Sequence, residues 1–163
     1  MPEPDTDGKP AETIDSDQLV LEEPPLQEIL IPTDGSGAVF EGIEPFKPIL
    51  HCCDATVHVI HVTKDNFGAL NRDRLRADPE TEAQQSVEDF GEQLREEGLD
   101  VKTDVRVGMP KEMILEYATE QDIDLIVMVT HGQKGIKRLL LRSITEEVIR
   151  NSTTPVLAIR NEG

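Results

Sequence analysis

The sequence predicts an α/β fold, a three-layer sandwich with helices on both faces of a five-stranded parallel sheet. Three observations predict it. Five short apolar or alternating runs have the length of strands, and helical apolar periodicity fills most of the gaps between them. The fourth run, Asp124 to Thr130, is apolar almost without interruption, as a strand buried on both faces must be. Strands that alternate with helices close into a parallel sheet through right-handed crossovers.

The elements follow in order. Residues 1–25 carry eight acids, one lysine and several prolines, with Leu19, Val20 and Leu21 as their one apolar cluster. That composition cannot bury enough surface to offset chain entropy, so it predicts a disordered acidic tail, with a partner-binding arm at Leu19–Leu21 as the alternative. One domain is expected over 26–163. Leu26 to Ile31 is a short apolar run stopped by Pro32 and the turn formers Asp34, Gly35 and Ser36, and reads as the first strand. Gly37 to His51 should be the next helix, but Pro45 and Pro48 lie inside it and should break or kink it. The free cysteines Cys52 and Cys53 that follow are adjacent, a spacing too strained for a disulfide and unlike a metal-ligand set. They read as reduced space-fillers, with a redox role as the alternative.

Ala55 to Val62 is β-branched and alternating, a second strand, and 64–78 reads as an exposed loop. From Pro79 to Glu97, the residues Ala83, Val87, Phe90 and Leu94 form one face of an amphipathic helix that ends at Gly98. Val101 to Val107 alternates and stops at Gly108, the third strand. Lys111 to Gln121 is a helix with Met113, Ile114, Tyr117 and Ala118 on one side. After the fourth strand, Ile144, Val148 and Ile149 mark a last helix, and Pro155 to Arg160 is the fifth strand.

Charge excludes some functions. Thirty-three acids against 16 basic residues give a net charge of −17, a field that repels nucleic acids and anionic membranes. No apolar run approaches the ~20 residues of a membrane helix, and the N-terminus has neither the basic start nor the apolar stretch of a secretory signal. A cytoplasmic protein is therefore expected. The lysine-poor, acidic composition fits a salt-rich cytoplasm, where salt screens self-repulsion.

In open α/β sheets ligands sit beyond the carboxyl ends of the strands, where strand order reverses. Two such ends carry polar turns: Pro32-Thr33-Asp34-Gly35-Ser36 and Thr130-His131-Gly132-Gln133-Lys134-Gly135. Between Asp124 and Glu146 there is no acid, whereas Lys134, Lys137, Arg138 and Arg142 all fall there. With Gly132, Gly135 and a helix start near Ser143, this describes an anion site, the alternative being a salt-bridging face. No phosphate-binding loop of the Walker type is present, and no nucleophile–base pair is supported. His131 could act as a base but reads as a turn residue. His58 and His61 lie on opposite faces of their strand and cannot share a metal. A binding module is expected rather than an enzyme.

The runs ILIPTDGS at 29–36, ATVHVIHV at 55–62 and the stretch 124–160 resemble the universal stress protein family, here an acidic, haloarchaeal-type member. The resemblance implies a Rossmann-like, adenine nucleotide hydrolase-like sheet of order 3-2-1-4-5. It also implies homodimers paired through the last strand, Pro155 to Arg160. Many members bind ATP, with Mg²⁺, through a glycine, two residues, a glycine, nine residues, a glycine and a serine or threonine. Here those positions are Val129, Gly132, Arg142 and Ser143, so only Gly132 and Ser143 match. The resemblance places Pro32, Thr33, Asp34 and Val62 around the adenosine, with Gly135 and Ile144 beside the phosphate segment. Valine at 129 is ill-suited to close phosphate approach, and Arg142 either obstructs the phosphate seat or pairs with phosphate as a guanidinium fork. A regulatory or stress-response module, able to bind an adenine nucleotide weakly through a degenerate motif, is the leading expectation. A nucleotide-independent interaction protein and a slow ATP hydrolase are the alternatives.

Overall fold

A computed structural model describes residues 26–64, 79–131 and 137–161; of Pro79, His131 and residues 137–143 only the backbone is described. The elements run β1 (Glu28–Thr33), α1 (Gly37–Gly42), a 3-10 turn (Glu44–Phe46), α2 (Lys47–Cys53), β2 (Thr56–Thr63), α3 (Pro79–Glu96), β3 (Asp100–Val107), α4 (Pro110–Glu120), β4 (Leu125–His131), α5 (Lys137–Asn151) and β5 (Val156–Asn161). All five strands are parallel, in the order β3-β2-β1-β4-β5. The predicted fold class is therefore observed. The acidic tail at 1–25 and the loop after Lys64 lie outside the described residues.

Each face of the sheet has its own core. Ile29, Ile31, Val57, Val59, Val127 and Val129 point to α1, α2 and α3, where they meet Val39, Leu50, Val87 and Leu94. Leu30, Ile60, Ile126 and Met128 point the other way, to Ile114, Tyr117 and Ala118 of α4 and Val148 of α5. The period-2 alternation of a strand produces this sorting, and each fully buried Ile, Leu or Val contributes roughly 1.5–3 kcal/mol.

Local chemistry explains the boundaries. The prolines break the expected helix as anticipated: Pro45 is the second residue of the 3-10 turn and Pro48 the second of α2, where a missing N–H costs nothing. α3 ends on Gly98 at φ +88, with the Leu99 N–H reaching Leu94 O (3.2 Å) and the Gly98 N–H reaching Arg95 O (2.9 Å). At the amino ends of the strands, Asp124 Oδ2 accepts the backbone N–H groups of Gln27 (2.8 Å) and Glu28 (3.0 Å), tying the start of β1 to the start of β4.

Three expectations need correcting. β1 does not stop before Pro32 but runs through it to Thr33, with Pro32 beside Ile60 of β2. The β1–β4 ladder is recorded only at Ile29–Leu125 and Leu30–Ile126, so Pro32 lies beyond the bonds that its missing N–H would interrupt. Ile149 does not share the inward face of α5 with Val148. It is 50% exposed, because one helical position turns a side chain through about 100°. Cys52 is exposed and only Cys53 is half-buried, so Cys52 fills no interior space.

Candidate functional site

The β1–α1 turn holds its own shape. Thr33 Oγ1 accepts the Gly35 N–H (3.1 Å), and Asp34 Oδ1 accepts both the N–H (2.9 Å) and the hydroxyl (2.5 Å) of Ser36. Gly35 sits at φ +78, a conformation L side chains rarely take. These side-chain-to-backbone bonds are what Thr and Asp supply in turns. They fix the Asp34 carboxylate at the carboxyl edge of the sheet.

Beyond Leu30 and Ile126 the central strands no longer pair, whereas β1–β2 pairing continues to Thr33–His61 and β4–β5 pairing to His131–Asn161. The sheet thus splits at its carboxyl edge, between the two strands where order reverses. At the same edge, between the β1–α1 turn, the end of β2 and α3, lies a cavity of about 410 Å³, within the size range of small-molecule sites. Asp34 and Gly35 line it from the β1 turn. His61, Val62, Thr63 and Lys64 line it from the end of β2, and Glu82, Ala83 and Ser86 from α3.

Within it, burial holds the His61 imidazole below its ordinary pKa of 6.5, and the nearby Asp34 carboxylate only partly restores it. The unfolded chain therefore takes up this proton at higher pH than the folded one. Stability attributable to His61 is complete above pH 6.5 and is lost as pH falls through and below that value. Urea midpoints measured at pH 7.5 and 5.5 should fall further in the parent than in His61→Gln; equal falls would remove this coupling.

Of the sequence-predicted residues, the cavity brings together Asp34 and Val62. Thr33 is buried behind the turn and Pro32 is half-buried in β1. Ile144 packs against the α4-side core. Val129 points away from α5, into the α1-side core, where a β-carbon on Gly42 would overlap its Cγ1. The valine at a glycine position is thus accommodated by a glycine on the helix it faces. Arg142 and Ser143 lie in α5, as do Lys137 and Arg138, but their side chains, with Gly132, Lys134 and Gly135, fall outside what is described.

Sequence reasoning missed His61, Glu82 and Ser86 as site residues. The signal was present for α3: Glu82 and Ser86 are four apart and each directly precedes an inward residue, Ala83 and Val87. His58 faces the opposite side, bonded to Tyr117 and Glu28, as the opposed-face reading requires. Among the described residues, no three His, Cys, Asp or Glu side chains cluster as a metal site.

Comparison with known proteins establishes the family and the fold. Residues 25–160 match the model of the universal stress protein family. The universal stress protein MJ0531 of Methanocaldococcus jannaschii is 32% identical, over 82% of this chain and 82% of that protein. Two solved structures share the fold: a universal stress protein in complex with cAMP (TM-score 0.63, 21% identity, 83% of this chain and 97% of that one) and one from Archaeoglobus fulgidus in complex with dAMP (TM-score 0.61, 20% identity, 82% and 97%).

Proposed function

This chain belongs to the universal stress protein family, and on that premise we propose that it is a cytoplasmic regulatory module that binds an adenine nucleotide at the carboxyl edge of the sheet, beside the β1–α1 turn. One observation carries the reading: the cavity at the carboxyl edge is lined by Asp34 and Val62, two of the four positions at which the family resemblance expects adenosine contacts. Proteins of the same fold in complex with cAMP and dAMP support it.

The cavity fits a nucleoside better than a phosphate chain. Its charged lining is two carboxylates, Asp34 and Glu82, against the single ammonium of Lys64. The phosphate end belongs with the acid-free segment carrying Lys134, Lys137, Arg138 and Arg142, next to Gly132, Gly135 and Ser143. If the nucleotide is ATP, Mg²⁺ would accompany that end and offset its charge.

Calorimetry with AMP and ATP tests the reading. Asp34→Ala should weaken binding at least tenfold, the equivalent of about 1.4 kcal/mol. No binding to the parent at millimolar nucleotide would leave the nucleotide-independent interaction role.

A homodimer through the last strand belongs to the same proposal. β5 is an edge strand that leaves Leu157 37% exposed, and α5 beside it leaves Ile149 50% exposed. An unpaired edge with apolar side chains is a template for pairing. In sedimentation, Leu157→Glu should shift the protein from dimer to monomer; a parent that is monomeric at high concentration would contradict this.

A further inference from the structure

The crevice has one wall outside every position the family pattern names. It is formed by His61 with Glu82, Ala83 and Ser86 of α3. Two observations set this wall apart from ordinary lining.

The first is an orphan atom. His61 Nδ1 is buried and has no hydrogen-bond partner. Buried polar atoms in native proteins are almost always paired, and one left unpaired calls for an explanation, a ligand being one. The second is a close approach that depends on glycine. A β-carbon on Gly35 would lie 2.9 Å from Ser86 Oγ, 3.2 Å from His61 Cε1 and 3.4 Å from His61 Nδ1. The hydroxyl and the imidazole therefore lie side by side against Gly35, a close approach that a side chain at residue 35 would prevent.

The chemistry of this wall is one-sided. Burial keeps the imidazole neutral, so its unpaired nitrogen can serve as an acceptor. The carboxylates of Asp34 and Glu82 accept only, and the Ser86 hydroxyl can accept as well. Lys64 alone brings a cation. Such a wall suits N–H and O–H groups and disfavours phosphate. Because a site built to pair with a donor is left unsatisfied by an analogue lacking it, discrimination against that analogue is strong.

We infer that the α3-side wall of the crevice reads hydrogen-bond donors on the bound ligand, with His61 as the acceptor and Ser86 beside it. This rests on the nucleotide reading and deepens it. In an adenine nucleotide two groups carry such donors, the exocyclic amino group of the base and the hydroxyls of the ribose. The recognition chemistry is the same for both.

Calorimetry with the full chain separates them. AMP is compared with IMP, in which a carbonyl replaces the amino group, and with dAMP, which lacks the 2′-hydroxyl. In the parent, at least one analogue should bind fivefold or more weakly than AMP. A weak IMP identifies the base amine as the donor, and a weak dAMP the ribose. That discrimination should shrink to less than twofold in both His61→Phe and Ser86→Ala. The two substitutions sit on different elements, so a folding failure of one leaves the other as the test.

A pH profile gives a readout that a merely structural role would not move. A protonated imidazole cannot accept, so AMP affinity should fall more steeply from pH 7.5 to 5.5 in the parent than in His61→Phe. The groups lining the cavity with His61, namely Asp34 of the β1 turn, Glu82 of α3 and Lys64 just after β2, are common to both proteins, as is the titration of the AMP phosphate. The inference is overturned if the parent binds all three nucleotides within fivefold of each other, or if discrimination survives both substitutions. If AMP does not bind the parent at all, the nucleotide reading itself fails and this inference falls with it.

Discussion

Gly42→Val is expected to cost about 3 kcal/mol of stability, the upper end of the overpacking range. Helix propensity alone predicts little change or a small gain, since glycine is the poorer helix former. Packing reverses the sign. Gly42 is buried at the end of α1, and any β-carbon there enters the space of Val129 Cγ1 on β4. Both elements are held in place: β4 by its ladder to β5, and α1 by the Asn161 side-chain amide, which donates to Ala38 O at 3.1 Å. Neither can retreat cheaply. In a Val129→Ala background the clashing methyls are gone, and the same substitution should cost about 1 kcal/mol or less. Urea unfolding of the four proteins measures the coupling. Additive costs would show that the two positions do not touch. The pair also explains how this chain carries a valine where the family's glycine pattern begins: the side chain is stored against α1 instead of projecting toward α5.

The second large effect lies on the other face, at the amino end of the strands. His58 is fully buried, with Nδ1 2.9 Å from the Tyr117 hydroxyl and Nε2 2.5 Å from Glu28 Oε2. Burial, reinforced by the Asp104 carboxylate, pushes the Tyr117 phenol up to about 12, so it stays protonated and donates to Nδ1. The Nε2–H then donates to Glu28, which Lys102 approaches at 3.7 Å. His58→Leu removes both bonds and strands the buried phenol oxygen, at a cost of about 3 kcal/mol. Tyr117→Phe removes one bond and leaves Nδ1 without its donor, for about 1–2 kcal/mol. The double variant His58→Leu with Tyr117→Phe should be less destabilised than the sum of the two, since each single change orphans the other's partner. Denaturant midpoints within 0.5 kcal/mol of the parent for His58→Leu would contradict this account.

Much of the architecture was legible because period and composition report burial directly. The uninterrupted run LIVMVT in β4 and the Ala83, Val87, Phe90, Leu94 stripe of α3 landed where their spacing put them. The prolines at 45 and 48 marked the break between α1 and α2. What period cannot show is which of two opposite faces a side chain serves when both are buried. Val129 was legible as a departure from a glycine pattern, but its direction toward α1 depends on Gly42, 87 positions away. Alternation puts His61 on the face opposite His58, but its place at the cavity depends on α3 packing over the end of β2. Pro32 read as a strand stop because its neighbours in the sheet were unknown; the early end of the β1–β4 ladder is what tolerates it.

The most direct test of a nucleotide seat at the carboxyl edge is amide chemical-shift mapping of the isotope-labelled chain during titration with AMP. The largest shifts should fall on Asp34, Gly35, Val62 and Thr63, while Glu28 and Asp124, at the opposite edge of the sheet, stay still. Shifts gathered at the opposite edge or along β5, or none at millimolar AMP, would contradict it.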